Sequence, residues 1–80
     1  MTKKEMAKEV KSAKNAMLSY VRGFSKDKKS QLAIVRGYIK NSADNYKKAY
    51  HVYKVQKDTA DAFKAELAGR RAALRELQKQ

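Results

Sequence analysis

Leu32-Ala33-Ile34-Val35-Arg36-Gly37-Tyr38-Ile39 opens the stretch that decides the fold of this 80-residue chain. Alternating steps of three and four residues from Leu32 reach Val35, Ile39, Ser42, Tyr46, Ala49, Tyr53, Gln56, Ala60, Phe63, Leu67, Arg70, Leu74 and Leu77. Only Ser42, Gln56 and Arg70 on that path are plainly polar. An apolar repeat of about 3.5 residues places all these side chains on one side of a helix. Unbroken, such a helix would be about 70 Å long at 1.5 Å per residue. The alternative is a chain that folds back at a polar position.

Two places invite a break. Asn41-Ser42-Ala43-Asp44-Asn45 is rich in residues that favour caps and turns. Lys57-Asp58-Thr59-Ala60-Asp61 offers Asp58 or Thr59 as an N-cap, with carboxylates suited to a helix start. A turn near Lys57–Thr59 gives three helices, about 3–22, 28–57 and 58–79, in a single domain over residues 1–80. The expected fold is therefore an all-α antiparallel bundle of three helices. Its competitor is a short helix packed on one long helix that dimerises through a coiled-coil seam.

Upstream, Met6, Val10, Ala13, Met17, Tyr20 and Phe24 form a second seam with steps of four and three. Lys4, Lys8, Lys11 and Arg22 fall opposite, which makes the first helix apolar on one side and basic on the other. Gly23 is the expected helix stop, because glycine adopts the left-handed conformation at low cost. Ser25 and Ser30 are candidate N-caps for the next helix, which the turn sets antiparallel against the first. In the last third, Ala62, Ala65, Gly69 and Ala72 make a stripe of small residues. Helix propensity accounts for alanines there; close approach of a second helix, as in a homodimer, is the other reading.

A chain this short is marginal in stability by itself. No cysteine is present to staple it, and packing of long helices must do that work. Absence of cysteine, of an apolar run near the ~20 residues that span a bilayer, and of a hydrophobic signal region points to a cytoplasmic protein.

Charge carries the functional signal. Twenty Lys/Arg against eight Asp/Glu give a net charge of +12. Residues 1–57 hold 15 basic and 4 acidic groups, and residues 58–80 hold 5 and 4. The first two thirds look suited to a polyanion and the last third to packing. Catalysis finds no support: His51 is the one histidine, there is no carboxylate cluster, and no glycine-rich phosphate loop. Neither enzyme activity nor a cofactor or metal is expected.

The primary functional expectation is a small basic helical protein that binds nucleic acid, DNA or RNA, through the phosphate backbone. Lys4, Lys8, Lys11, Lys14, Arg22, Lys26, Lys28, Lys29, Arg36, Lys40, Lys47 and Lys48 are the candidate contacts. Fifteen lysines against five arginines favour point-charge contacts over bidentate reading of guanine, so little sequence specificity is expected. A helix-turn-helix centred on Gly37 would instead bring Lys40, Asn41, Ser42, Asn45 and Lys47 to base edges, but the heptad register runs through that turn. Tyr38, Tyr46, Tyr50 and Tyr53 lie among lysines and arginines, a pattern that can stack unpaired bases. Tyr46 and Tyr53 sit on the seam and are expected to pack, leaving Tyr38 and Tyr50 freer.

The alternative function is a helical adaptor or inhibitor that docks on an acidic protein partner, a size and composition shared with small accessory proteins of viruses and mobile elements. A basic amphipathic helix on a membrane surface is disfavoured by the many Ala and Tyr in the seams and the absence of tryptophan.

Overall fold

The computed structural model describes residues 1–79 and resolves the long seam into two helices. Helix α1 spans Lys3–Phe24, α2 spans Lys28–Lys47 and continues as a π-turn over Lys48–Val52, and α3 spans Lys57–Lys79. They form an all-α three-helix bundle whose longest dimension is 39 Å. A 70 Å rod is thereby excluded, and with it the long helix paired through a coiled-coil seam.

The reversal falls at residues 53–56, a few residues before the expected one. Asn41–Asn45 stays helical because Ser42 is buried and hydrogen-bonded across the bundle. Tyr50-His51-Val52-Tyr53 is a run of poor helix formers, and there the helix widens. The Tyr53 N–H donates to the Lys48 carbonyl at 2.8 Å and the Val55 N–H to the Ala49 carbonyl at 3.0 Å. Lys54, with φ of 50°, then takes the left-handed conformation that turns the chain. Such a residue is normally glycine or asparagine, and nothing in the sequence marks Lys54 for the role.

The first turn is also built differently from its sequence reading. No glycine has positive φ, and α1 runs through Gly23 to end at Phe24, with the extended Ser25 as its C-cap. The N-cap of α2 is Asp27, whose carboxylate accepts the Ser30 N–H at 3.1 Å and the Ser30 hydroxyl at 2.9 Å. Ser25 serves instead as an acceptor: the Gln31 side-chain amide donates to its carbonyl at 2.6 Å. At the other end of α1, Thr2 and Glu5 form a reciprocal capping box. Helix α2 passes straight through Gly37, so no helix-turn-helix exists there.

Packing is organised around α3. Helix α1 lies mainly along α3 rather than along α2, and α2 also packs chiefly on α3, while α1 and α2 touch little. Lys14 meets Glu76, and the Met1 amine meets Asp58 and Asp61, so α1 and α3 run parallel in an up-down-up order. Gly69 explains the intimacy of that pair. A Cβ on Gly69 would lie 2.5 Å from the Ala13 Cβ, 2.7 Å from the Val10 carbonyl oxygen and 2.9 Å from the Lys14 nitrogen. Ala65 and Gly69 of the small-residue stripe are buried with Ala73, while Ala62 is exposed and Ala72 half-buried, so the middle of the stripe admits a second backbone. That backbone belongs to α1 of the same chain.

The main core joins Met17, Leu18 and Val21 of α1 to Val35 of α2 and Ala73 and Leu77 of α3. Each such large aliphatic residue contributes about 1.5–3 kcal/mol on burial. Leu32, Ile34, Tyr38, Ile39 and Leu74 close around it. Two polar seam residues also find their reason. The Arg70 guanidinium donates to the Ser42 hydroxyl and, at 3.3 Å, to the Tyr38 carbonyl; it pairs with Glu66 at 2.9 Å and lies 4.9 Å from the Tyr38 ring centroid. The Ser42 hydroxyl in turn donates to Glu66 at 3.3 Å. Polar residues on a packed seam are tolerated when their hydrogen bonds are made.

Candidate nucleic-acid interface

Helical spacing places the cations in three rows. On α2, Lys29, Arg36, Lys40 and Lys47 fall within about 20° of one line at 100° per residue. On α3, Lys57, Lys64, Arg71 and Arg75 do the same. On α1, Lys4, Lys8, Lys11 and Arg22 make the row expected from sequence. All twelve are exposed. Each of the α2 and α3 rows spans about 27 Å, roughly eight steps of a nucleic-acid strand at 3.4 Å each.

The rows lie on the exposed faces of their helices. On α1, Tyr20 faces α2 through Tyr38, and Lys14 faces α3 through Glu76; the basic row lies on the outward side of Lys14. On α2, Ile34 and Tyr38 face the α1 groove, and Lys40 of the basic row lines the same groove; Lys29, Arg36 and Lys47 follow Lys40 along the helix. On α3, helical spacing sets Lys64, Arg71 and Arg75 on the face away from both neighbours, while Lys57 borders a cleft with Met1, Lys3 and Met6 at the start of α1. A cationic band therefore covers the α3 side, and Lys40 carries positive charge to the groove between α1 and α2.

Six of the eight carboxylates have partners of their own, while Glu9 and Asp44 stand exposed on α1 and α2. Asp58 and Asp61 hold the Met1 amine at 2.6 and 3.4 Å, Glu66 holds Arg70, and Glu76 holds Lys14 at 3.9 Å. Hydrogen bonding from the Met1 amine keeps Asp58 below the ordinary carboxylate range, and Asp58 in turn raises that amine above its usual value. Asp27, bonded by Ser30, is likewise lowered. Glu5 is engaged in the cap of α1.

Among the residues expected from sequence, Lys14 is committed to another partner, half-buried on Glu76. Lys26 lies in the first turn, Lys28 opens α2, and Lys48 opens the π-turn beside Asn45 and Tyr53. The α3 row was missed because residues 58–80 nearly balance in charge. Its signal is the spacing 57, 64, 71, 75, which lines the cations up on one face of the helix, with Asp61 on its flank beside Lys57 and Lys64.

Aromatic exposure also departs from the seam pattern. Tyr53 is 70% and Tyr50 58% exposed, whereas Tyr38 is half-buried under Arg70 and Tyr20. Tyr53 left the seam when the chain turned. Phe24 stands 68% exposed at the end of α1, stacked on Tyr20 at 6.1 Å. His51 is exposed against Tyr50 at 5.0 Å, and no cluster suited to a metal occurs among the described residues. No helix is long and apolar enough, among the described residues, to cross a membrane. In comparisons with known proteins, no family model, no curated protein and no solved structure matches the chain.

Proposed function

We propose that the protein binds nucleic acid through the phosphate backbone, using the cationic band on its α3 side. The observation that carries this reading is the alignment of charge: each helix carries a row of four exposed Lys and Arg, while the carboxylates of α3 are paired with the Met1 amine, Lys14 and Arg70. A merely solvated surface would intersperse both signs. Lysine outnumbers arginine in the α1 and α2 rows, so contacts are to phosphates and carry little base discrimination.

Fluorescence anisotropy of labelled oligonucleotides across a salt series tests the proposal. Four phosphate contacts give a log–log slope of about −3.6, which is about 150-fold weaker binding between 50 and 200 mM salt. Replacing Lys64 and Arg71 by Gln flattens the slope by about 1.8 while leaving the fold unchanged. Absence of binding to duplex and single strands at ~50 mM salt refutes it.

One feature favours a second reading, docking on an acidic protein partner. A groove of ≈ 360 Å³ between α1 and α2 is lined by Ala13, Ala16, Met17, Tyr20 and Tyr38 with Arg70 and Glu66 at its base. A partner retained after nuclease treatment identifies that mode; a partner lost identifies nucleic acid.

A further inference from the structure

The corner between α2 and α3 combines features that neither a solvated surface nor a phosphate-binding row requires. Residues 45–57 contain four lysines, three tyrosines and one histidine, with no carboxylate. Asn45, Lys48, Ala49, Tyr53, Val55 and Phe63 enclose a cleft of ≈ 300 Å³ there. Ala49 is buried and Val55 and Phe63 are half-buried, so the floor is apolar, while Tyr53 stands open to solvent on one wall. Tyr50, Val52 and Tyr53 leave most of their aromatic and aliphatic surface in solvent.

We propose that this cleft receives an unpaired base of a single-stranded nucleic acid. It rests on the nucleic-acid reading above and narrows it to strands with accessible base faces. The apolar floor and the Tyr53 ring suit the flat face of a base, which a duplex keeps stacked on its neighbours. The Asn45 amide offers a donor and an acceptor to a base edge. Lys48 at the cleft, with Lys47, Lys54 and Lys57 around it, supplies phosphate contacts to the strand on either side. Stacking tolerates any base, since every base has a π-face, and this fits a surface poor in bidentate readers.

The test uses the full chain, a labelled 12-nucleotide oligothymidine and a 12-base-pair duplex at low salt. Tyr53→Leu keeps apolar bulk and removes the ring; it weakens single-strand binding about tenfold and changes duplex binding less than about twofold. Tyr53→Phe retains wild-type single-strand affinity. The chain has five tyrosines and no tryptophan, so stacking also appears directly as quenching of tyrosine emission by unlabelled oligothymidine, reduced in Tyr53→Leu. Tyr53 is exposed, and far-UV circular dichroism of the variant matches wild type. Equal loss on both ligands, or unchanged single-strand affinity and quenching, overturns the cleft while leaving the cationic band in place. Failure of the wild-type chain to bind either ligand overturns the band, and the cleft with it.

Discussion

Two glycine-to-alanine substitutions should move stability in opposite directions, and the difference isolates the α1–α3 contact. Gly37 and Gly69 both lie inside helices with ordinary negative φ, so alanine is compatible with the backbone at either site. Helix propensity favours alanine by about 0.8–1 kcal/mol in each case. At Gly37 a new Cβ meets nothing within 4 Å, so the propensity gain survives. The expected result is a rise in Tm of about 3–8 °C, taking about 4–8 °C per kcal/mol for a domain this small. At Gly69 the new Cβ meets the Ala13 Cβ at 2.5 Å and two backbone atoms of α1 at 2.7 and 2.9 Å. Carbon atoms settle near 3.5–4.0 Å, so α1 must move outward by about 1 Å. Backbone cannot rotate aside as a long side chain can, and overpacking of this kind costs about 1–3 kcal/mol, occasionally more. Taking the upper half of that range and subtracting the propensity gain leaves a net loss of about 1–2 kcal/mol, or a Tm lowered by roughly 5–15 °C. Thermal melts followed at 222 nm, with urea titrations to check that the m-value is unchanged, measure both effects. Ala13→Gly should cost less in the Gly69→Ala background than in wild type, because its helix-propensity cost of about 0.8–1 kcal/mol is offset there by removal of one of the three contacts. If Gly69→Ala were as stable as Gly37→Ala, the close approach of α1 to α3 would be refuted.

Arg70→Ala removes donors to the Ser42 hydroxyl and the Tyr38 carbonyl together with cover over the Tyr38 ring; urea unfolding should show a loss of about 1–2 kcal/mol. Arg70→Lys should recover only part of it, since an ammonium cannot reproduce the planar fork. Lys54→Gly relieves a left-handed residue with a side chain, worth about 1–2 kcal/mol, against a smaller entropic loss in the unfolded chain; differential scanning calorimetry should record a modest rise in Tm. The pH profile of Tm should be flat from about 4 to 8 and fall on both sides. The Met1 amine has its pKa raised in the folded state, so its contribution is complete below the unfolded value and is lost as pH rises through the folded one. Asp58 and Asp27 are lowered, so theirs is complete above the unfolded carboxylate value and is lost as pH falls. Nα-acetylation should abolish the fall above pH ~8 and spare the acid loss due to Asp27; an unchanged alkaline limb would contradict the Met1–Asp58 pair.

Local regularities in the chain determined its helices. The 3.5-residue repeat is a property of neighbours three and four apart, so the helical character of residues 3–22, 28–47 and 58–79 was legible before any contact was known. So was the exposure of the basic row on α1, which lies opposite a regular seam. What the repeat cannot contain is its own interruption: Leu32 to Leu77 keeps one register in the sequence although the chain reverses between the π-turn and α3. Tyr53 therefore reads as a core residue and stands in solvent. Nor does spacing within one helix say which helix will face it. The choice of α3 as partner for α1 depends on Gly69 meeting Ala13, residues 56 positions apart, and the placement of Ser42 beside Arg70 depends on α2 crossing α3. The cationic band has the same origin. Net charge counted along residues 58–80 is nearly neutral, but Asp58, Asp61 and Glu76 are claimed by groups at the other end of the chain, and Glu66 by Arg70 within the helix. Charge balance is a sum over sequence, whereas the potential an approaching ligand meets depends on which carboxylates tertiary contacts have already neutralised.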